Sequence, residues 1–456
     1  MLHDFDALIV GAGPAGCAAA YDLAHAGRRV LLLDKRSFPR AKACACGLTR
    51  KTLKALRYSV EPVLERECRD VVLQEAGPAF LHGRRSADKA CEIRVHLRQP
   101  FCAMAVRSRF DHFCLEQTLA AGRDGGSAQF LRIDTLLALR ELPSGVELDI
   151  ALPDGSTQTL SAPALIGADG SNGQTRRLST QGGATAAQLP PEPSWYARGF
   201  ALEATVPYGL LPEILPAGDH PHDLVFDFAP IAGGYGWLFP KADHINIGVG
   251  GFVPQKPGAP TGSEQASTGD PAMVYETVTR ALLDTYIREK LGLDLASLPG
   301  THVTGQHLGL GGHAYIPHGR ILLTGDAAGL VDPLTGEGIH SAITSGQAAA
   351  AAILEALPQT LSSRPKRSVV ERPALSSAES QASQGATHLA AAYARHLKPL
   401  QETLAFSHRA ARSFYREPER GFKVMRTPLL RNLVLKTYAD GLPTTKLLAS
   451  LARRVA

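Results

Sequence analysis

Four residues near the start of the chain have the types and spacing to hold a pyrophosphate and a ribose. Gly11, Gly13 and Gly16 form GxGxxG, and Asp34 follows eighteen residues later. Gly11 suits a tight turn, Gly13 a close backbone approach to phosphate, and Gly16 close packing of a helix on a sheet. Asp34, with Lys35 beside it, can accept the hydroxyl protons of an adenosine ribose. Such a spacing carries weight only when the right elements surround it. Phe5 to Val10 is apolar and β-prone, and Arg29 to Leu33 reads as a second strand. Between them the small residues from Cys17 to Ala26 read as a helix stopped by Gly27, with Ala15 just before it among the expected cofactor contacts. The free N–H groups at the start of that helix face the phosphates. The expectation is an adenine dinucleotide, with NAD and FAD both open at this point.

A second set of residues, far downstream, separates the two. The predicted strand Ile321 to Thr324 runs into Gly325 and Asp326, and Gly336, Gly338 and Ile339 open a long Ala-rich helix. An acid at a strand end can bind a polyol, and a helix N-terminus stabilises nearby negative charge. FAD needs both, Asp326 for its ribityl chain and the helix start for the N1 and C2 carbonyl edge of the reduced ring. NAD needs neither. FAD is therefore the expected cofactor, and no second GxGxxG with a following acid is present for NAD(P)H. The reductant is expected to bind transiently, as NAD(P)H, or to be a ferredoxin-like electron-transfer protein.

Two further groups could act on a substrate. Cys44 and Cys46 lie on a loop behind the ribose-binding strand, near where an extended dinucleotide would place its far ring. In Tyr235 to Pro240 a period of two puts Tyr235, Trp237 and Phe239 on one strand face, with Pro240 opposing extension as a central strand. Ile245, Ile247 and Val249 share a face in the same way. Spacing alone favours ordinary sheet core for these residues over a ligand wall. The histidines at 302, 307, 313, 318 and 340 have no metal-ligand spacing, and no metal site is expected.

GxGxxG with a distant GDA, an RxxFD helix (Arg107 to Asp111) and a late ADG together resemble flavoproteins of the aromatic-hydroxylase fold. Within that group, CACGL (Cys44 to Leu48), GGYGWLFPKADHINIGVG (Gly233 to Gly250) and GDAAGLVDPLTGEGI (Gly325 to Ile339) resemble the geranylgeranyl reductase family. The similarity runs from the N-terminus to about Leu357. The resemblance implies an FAD-dependent enzyme that saturates C=C bonds of a polyprenyl lipid, pyrophosphate or quinone by hydride transfer. It implies that Arg107 contacts a phosphate or ribityl oxygen, and that Cys44, as catalytic residue, with Cys46 and Gly47 lies by the flavin. Tyr235, Trp237, Phe239 and Pro240 would then line an isoprenoid channel, reversing the preference for sheet core. Ala45 and Gly173 depart from the family pattern, which has glycine and serine there. An FAD monooxygenase or halogenase is the nearest alternative, because halogenases carry WxWxIP where this chain has YGWLFP. A non-catalytic prenyl-binding escort is the alternative of another class.

The whole chain has 456 residues, 44% hydrophobic and 20% charged, a globular composition with room for several domains. The expected fold class is α/β, a Rossmann-like FAD-binding domain of the p-hydroxybenzoate hydroxylase type interleaved with an α+β antiparallel-sheet substrate domain, plus C-terminal helices. The FAD domain is expected from 1–75, 101–180 and 301–357, the substrate domain from 76–100 and 181–300, a flexible insertion at 358–387, and helices over 388–456. Seven scattered cysteines without CxxC spacing oppose a zinc site or a disulfide framework. With no signal peptide and no run of roughly 18 apolar residues, the expected location is the cytoplasm. A net charge of +5 gives no footprint for nucleic acid. It is concentrated after Gly421, where seven Lys/Arg face one acid among recurring leucines. That pattern suits either an amphipathic helix on the inner membrane surface or a solvated helix packed on the protein.

Overall fold

The computed structural model describes residues 5–75, 92–179, 191–212, 221–253, 276–298, 301–357 and 375–441, with Leu189, Leu215 and Pro216. Short apolar strands in the first and last parts of the chain build one five-stranded parallel sheet. Its order is Ile321–Leu323, Leu165–Gly167, Ala7–Val10, Arg29–Asp34 and Ser127–Arg132. The first four of these strands are buried almost throughout, as expected of a parallel sheet covered by helices, while the edge strand Ser127–Arg132 is only partly buried. The helix Pro14–His25 packs against the late helix Ile339–Ala356 at backbone distance. A Cβ on Gly346 would lie 2.2 Å from the Ala15 carbonyl oxygen. Small residues at this contact bring the two glycine motifs together, although more than three hundred residues separate them.

The second large sheet has seven strands in the order Val303–Leu310, Ala197–Pro207, His244–Phe252, Gly234–Pro240, Leu224–Asp227, Asp70–Gln74 and Glu92–His96. Its pairings are antiparallel except that between Leu224–Asp227 and Asp70–Gln74. One face carries Ile245, Ile247 and Val249, which pack with Leu283, Tyr286 and Ile287 of the helix Arg280–Leu291. This is the α/β fold read from the sequence, a parallel dinucleotide sheet beside a largely antiparallel one.

The sequence-based boundaries differ from the strands in two places. Asp70–Gln74 and Val303–Leu310 hydrogen-bond into the antiparallel sheet, so we propose that the FAD domain gives way before Asp70 and resumes after Leu310. The flexible insertion expected at 358–387 is helical from Leu375, where the long helix Leu375–Arg416 begins. Ala, Glu and Gln among Leu375 to Thr387 favour the helix that their polarity had disguised. Residues 358–374 of that stretch and the basic residues beyond Gly441 lie outside the described residues. Helices Pro418–Arg426 and Pro428–Asp440 complete the described chain, burying Phe422, Leu435 and Ala439 against Val71, Ile93, Phe101 and Met104.

Candidate active site

A cavity of about 640 Å³ runs between the two sheets, and both glycine motifs open into it. At its first end Gly11 has φ +104°, and a Cβ there would lie 2.3 Å from the Ala168 carbonyl oxygen. Only glycine tolerates that combination. Gly16 sits behind the cavity, where a Cβ would be 1.8 Å from the Gly11 carbonyl oxygen. Gly13 differs from both. Its nearest neighbour in that direction is Arg40 Nη2 at 3.4 Å, and together with Ala15 it faces the open cavity. Asp34 stands at the rim with its carboxylate oxygens fixed by the N–H groups of Ala12 and Arg36, both at 2.9 Å. Lys35, also at the rim, donates to Gln174.

The cavity then passes Arg40, Lys42 and Arg107. Arg107 Nε donates to Asp111 Oδ1 at 2.7 Å, and Arg40 Nη2 lies 3.0 Å from Asp111 Oδ2. Arg40 Nε is buried without a partner. Burial and the nearby Arg107 charge lower the Lys42 pKa. Three cations around one buried carboxylate leave positive potential for an anion. The open backbone at Gly13, the orphaned Arg40 donor and the fixed Asp34 carboxylate fit the pyrophosphate and ribose of a dinucleotide.

At the other end the two glycines beyond Asp326 shape a second approach. Gly325 has φ +52°, and a Cβ there would press on Ala15 and Ala342. Asp326 Oδ1 lies 3.4 Å from where a Gly338 Cβ would be, so the carboxylate adjoins the start of the helix Ile339–Ala356. Gly336, Gly338 and Ile339 line the cavity there. Tyr235 donates its hydroxyl to the Thr335 carbonyl and so ties this turn to the antiparallel sheet.

The free face of that sheet forms the opposite wall. Tyr235, Trp237 and Phe239 all line the cavity, as their period of two requires. The alternate residues turn away: Gly236 makes room for Tyr286, and Leu238 joins the core under the helix. Pro240 pairs with Ile245 and, unlike the three aromatic residues, is not among the residues lining the cavity. Trp237 lies flat because its neighbour across the strands is Gly248, where a Cβ would be 2.1 Å from Cζ2.

Cys44, Cys46 and Gly47 meet this wall. Cys46 adopts φ +49° and gives its N–H to Cys44 Sγ at 3.3 Å. Hydrogen bonding from the Cys46 thiol and, against burial, the Arg107 guanidinium draw the Cys44 pKa well below the usual thiol range. Several residues that sequence reading passed over complete the arrangement. Lys241, 2% exposed, donates to the Ala45 carbonyl and, at 2.9 Å, to the Ala105 carbonyl, which fixes the cysteine loop from below. Glu203, 8% exposed, accepts the Cys44 N–H at 2.8 Å. Burial and the Cys44 charge push the Glu203 carboxyl up to about 7. Tyr415 and Tyr438 from the C-terminal helices also reach the cavity, and they donate to Leu334 and Thr335 respectively. The only local signal for Glu203 was a lone acid in an apolar strand. The tyrosines gave none.

Residues 4–186 match the FAD binding domain family. Over 352 residues the chain is 29% identical to the menaquinone reductase of Mycolicibacterium smegmatis, covering 76% of this chain and 75% of that one. Over 361 residues it is 25% identical to the geranylgeranyl diphosphate reductase of Rhodobacter capsulatus, covering 77% and 75%. The chain is an FAD-dependent oxidoreductase, similar over about three quarters of its length to menaquinone and geranylgeranyl diphosphate reductases. A geranylgeranyl bacteriochlorophyll reductase-like protein from Thermoplasma acidophilum shares the fold, with TM-score 0.62, 18% identity and coverage of 90% and 87%. A flavin-dependent brominase shares it too, with TM-score 0.60, 16% identity and coverage of 96% and 93%. FAD is thus the cofactor of this chain. In the family's DGxxS segment, Gly173 stands for serine because a Cβ there would lie 2.1 Å from the Asp169 carboxyl carbon. That carboxylate is committed to the Thr175 N–H and hydroxyl.

Proposed function

We propose that this protein saturates C=C bonds of a polyprenyl chain carried by a lipid, a pyrophosphate or a quinone. The observation that carries the reading is the placement of Tyr235, Trp237 and Phe239 in the same cavity as Gly13, Asp34, Asp326 and Gly338. An apolar chain lying on this wall is held close to the flavin site without polar partners of its own. The names of the menaquinone and geranylgeranyl diphosphate relatives support that substrate class.

The chemistry that bound, reduced FAD supplies is donation of a hydride to one alkene carbon. The protein has four tasks around it. Gly13 and the first helix N-terminus, with Arg40 and Arg107, bind the diphosphate, and Asp34 binds the ribose. Asp326 holds the ribityl chain, and the N-terminus of the helix Ile339–Ala356 offsets charge on the reduced ring. The aromatic wall orients the alkene and excludes water. The Cys44 to Gly47 loop, anchored by Lys241, would border the bound flavin beside the wall.

The electron donor is NAD(P)H or a ferredoxin-like protein that binds only in passing. No helix among the described residues is long and apolar enough to cross a membrane. Val424, Leu429 and Val434 are nevertheless exposed on the two last helices, beside exposed Lys423 and Lys436. This face supports peripheral contact with an anionic membrane, from which a lipid substrate would enter.

Purified protein reduced anaerobically with dithionite should add two hydrogens per saturated double bond to geranylgeranyl diphosphate, a geranylgeranyl lipid or a polyprenyl quinone, read by mass spectrometry. No mass gain on any of the three would overturn the reading. Halogenated or hydroxylated product from reduced enzyme in air with halide would replace it with an oxygenase.

A further inference from the structure

We propose that Glu203 is the proton donor of this reaction, delivering its proton to the alkene carbon opposite the one that receives hydride. The assignment rests on the proposed alkene reduction. It begins with position: Glu203 occupies the middle of the strand Ala197–Pro207, between Gly248 on one neighbour and Thr304 on the other. Because residue 248 has no side chain, the Trp237 ring extends over it toward Glu203. The carboxyl therefore reaches the cavity beside the aromatic wall and below the cysteine loop.

The groups around it fix the carboxyl in place. Cys44 gives it an N–H at 2.8 Å. Trp237 Nε1 donates to Asn246 Oδ1 at 2.8 Å, and because an indole can only donate, Asn246 presents its amide nitrogen to Glu203. The charged neighbours are Cys44 from the loop and Lys241 beyond the wall strand, while Thr304 faces it from the other side without charge. Lys241 has its protons committed to two backbone carbonyls.

Other cavity groups are poor donors. Cys44 is drawn toward the thiolate, and its sulfur accepts the Cys46 N–H. Tyr235 commits its hydroxyl to the Thr335 carbonyl. Asp332 is saturated as an acceptor by Ser407 and the N–H groups of Leu334 and Thr335. A carboxyl poised near 7 is matched to proton transfer at neutral pH.

The step balances. The Glu203 O–H bond breaks and a C–H bond forms at the less substituted carbon from the alkene π electrons. The hydride brings two electrons and closes the second C–H bond at the more substituted carbon, where positive charge develops. The carboxylate is reprotonated from solvent before the next turnover.

Two readouts test this. In infrared difference spectra of substrate-free protein, wild type minus Glu203→Gln, we expect a protonated carboxyl band at pH 6 that bleaches as pH rises through about 7. Cys44→Ser should move that midpoint down. In anaerobic single turnovers on geranylgeranyl diphosphate, Glu203→Gln should keep its flavin and slow reduction by roughly 100-fold or more. Glu203→Asp, which keeps an acid, should recover part of the rate. The wild-type rate should fall above neutral pH, and Glu203→Gln should lack that limb. No protonated band at pH 6, or a Glu203→Gln rate within about threefold of wild type against the roughly 100-fold expected of a general acid, would overturn the assignment alone. A wild-type enzyme that reduces none of the polyprenyl probes would overturn the substrate reading and this assignment with it.

Discussion

In the proposed site the cradle at Gly11 to Gly16 offers backbone to the cavity, whereas the wall at Glu203 and Trp237 offers side chains from neighbouring strands. In the cradle, function is the absence of a Cβ: Gly11 turns against Ala168, Gly16 packs on Gly11, and Gly13 stays open. In the wall, function is a particular set of side chains supported by glycines on the next strand, as Trp237 is by Gly248. Backbone recognition suits a cofactor that is always the same. Side-chain recognition leaves the substrate and the proton to be set by residues that can change without disturbing the sheet.

The comparison breaks first at Gly16. Gly16→Ala places a methyl carbon 1.8 Å from the Gly11 carbonyl oxygen, and neither backbone segment can yield without moving the turn. Overpacking of this kind costs roughly 3 kcal/mol or more. The purified variant should carry no flavin by absorbance and melt well below wild type, and normal flavin content would show that the cradle tolerates a side chain there.

The difference between the two regions also explains what was legible in the sequence. The cradle could be read because its residues are local and their type is forced by backbone geometry; even the distant Asp326 and Gly338 carry the same kind of mark. Tyr235, Trp237 and Phe239 could be placed on one face by alternation, but whether that face met core or cavity depended on the helix Arg280–Leu291 covering the other one. Glu203, Lys241, Tyr415 and Tyr438 bond to partners 81 to 196 residues away. Nothing in their local sequence names those partners.

Glu203 sharpens the contrast through stability. Its carboxyl titrates near 4.5 when unfolded and about 7 when folded. Between those values the native state binds more protons than the unfolded one, so this group's stabilising contribution is full below 4.5 and is lost as pH rises to 7. The difference amounts to about 3 kcal/mol. Glu203→Gln removes the titration. Its melting temperature should rise relative to wild type across that window and stay offset above it, while substitutions in the cradle show no such pH dependence. Parallel melting curves for the two proteins from pH 4.5 to 8 would show that the carboxyl is not held in its acid form.

Trp237 tests whether the wall can fail alone. Trp237→Ala removes an aromatic surface facing the cavity and the donor that fixes Asn246, but touches none of the cradle. Flavin content should be unchanged. Substrate binding should weaken by roughly 2 kcal/mol, about thirtyfold in KM, and the rate should fall further because Asn246 no longer orients Glu203. Unchanged turnover would remove Trp237 from the substrate path.

The smallest effect belongs to the seam where the two regions meet. Tyr438, on the helix Pro428–Asp440, donates to Thr335 Oγ1 at 2.9 Å, and Tyr235 holds the carbonyl of the same residue. One tyrosine comes from the C-terminal helices and one from the wall, yet the turn they clamp leads through Gly336 to the flavin-facing helix. Tyr438→Phe deletes one hydrogen bond and leaves the ring in place over Lys51 and against Phe101. The loss should be about 1 kcal/mol in stability, with flavin retained and its dissociation faster by a small factor, measured as release into apoprotein-free buffer. If Tyr438→Phe instead leaves flavin release unchanged while substrate reduction falls, the C-terminal helices belong functionally to the wall. If release quickens and reduction on retained flavin is unchanged, they belong to the cradle.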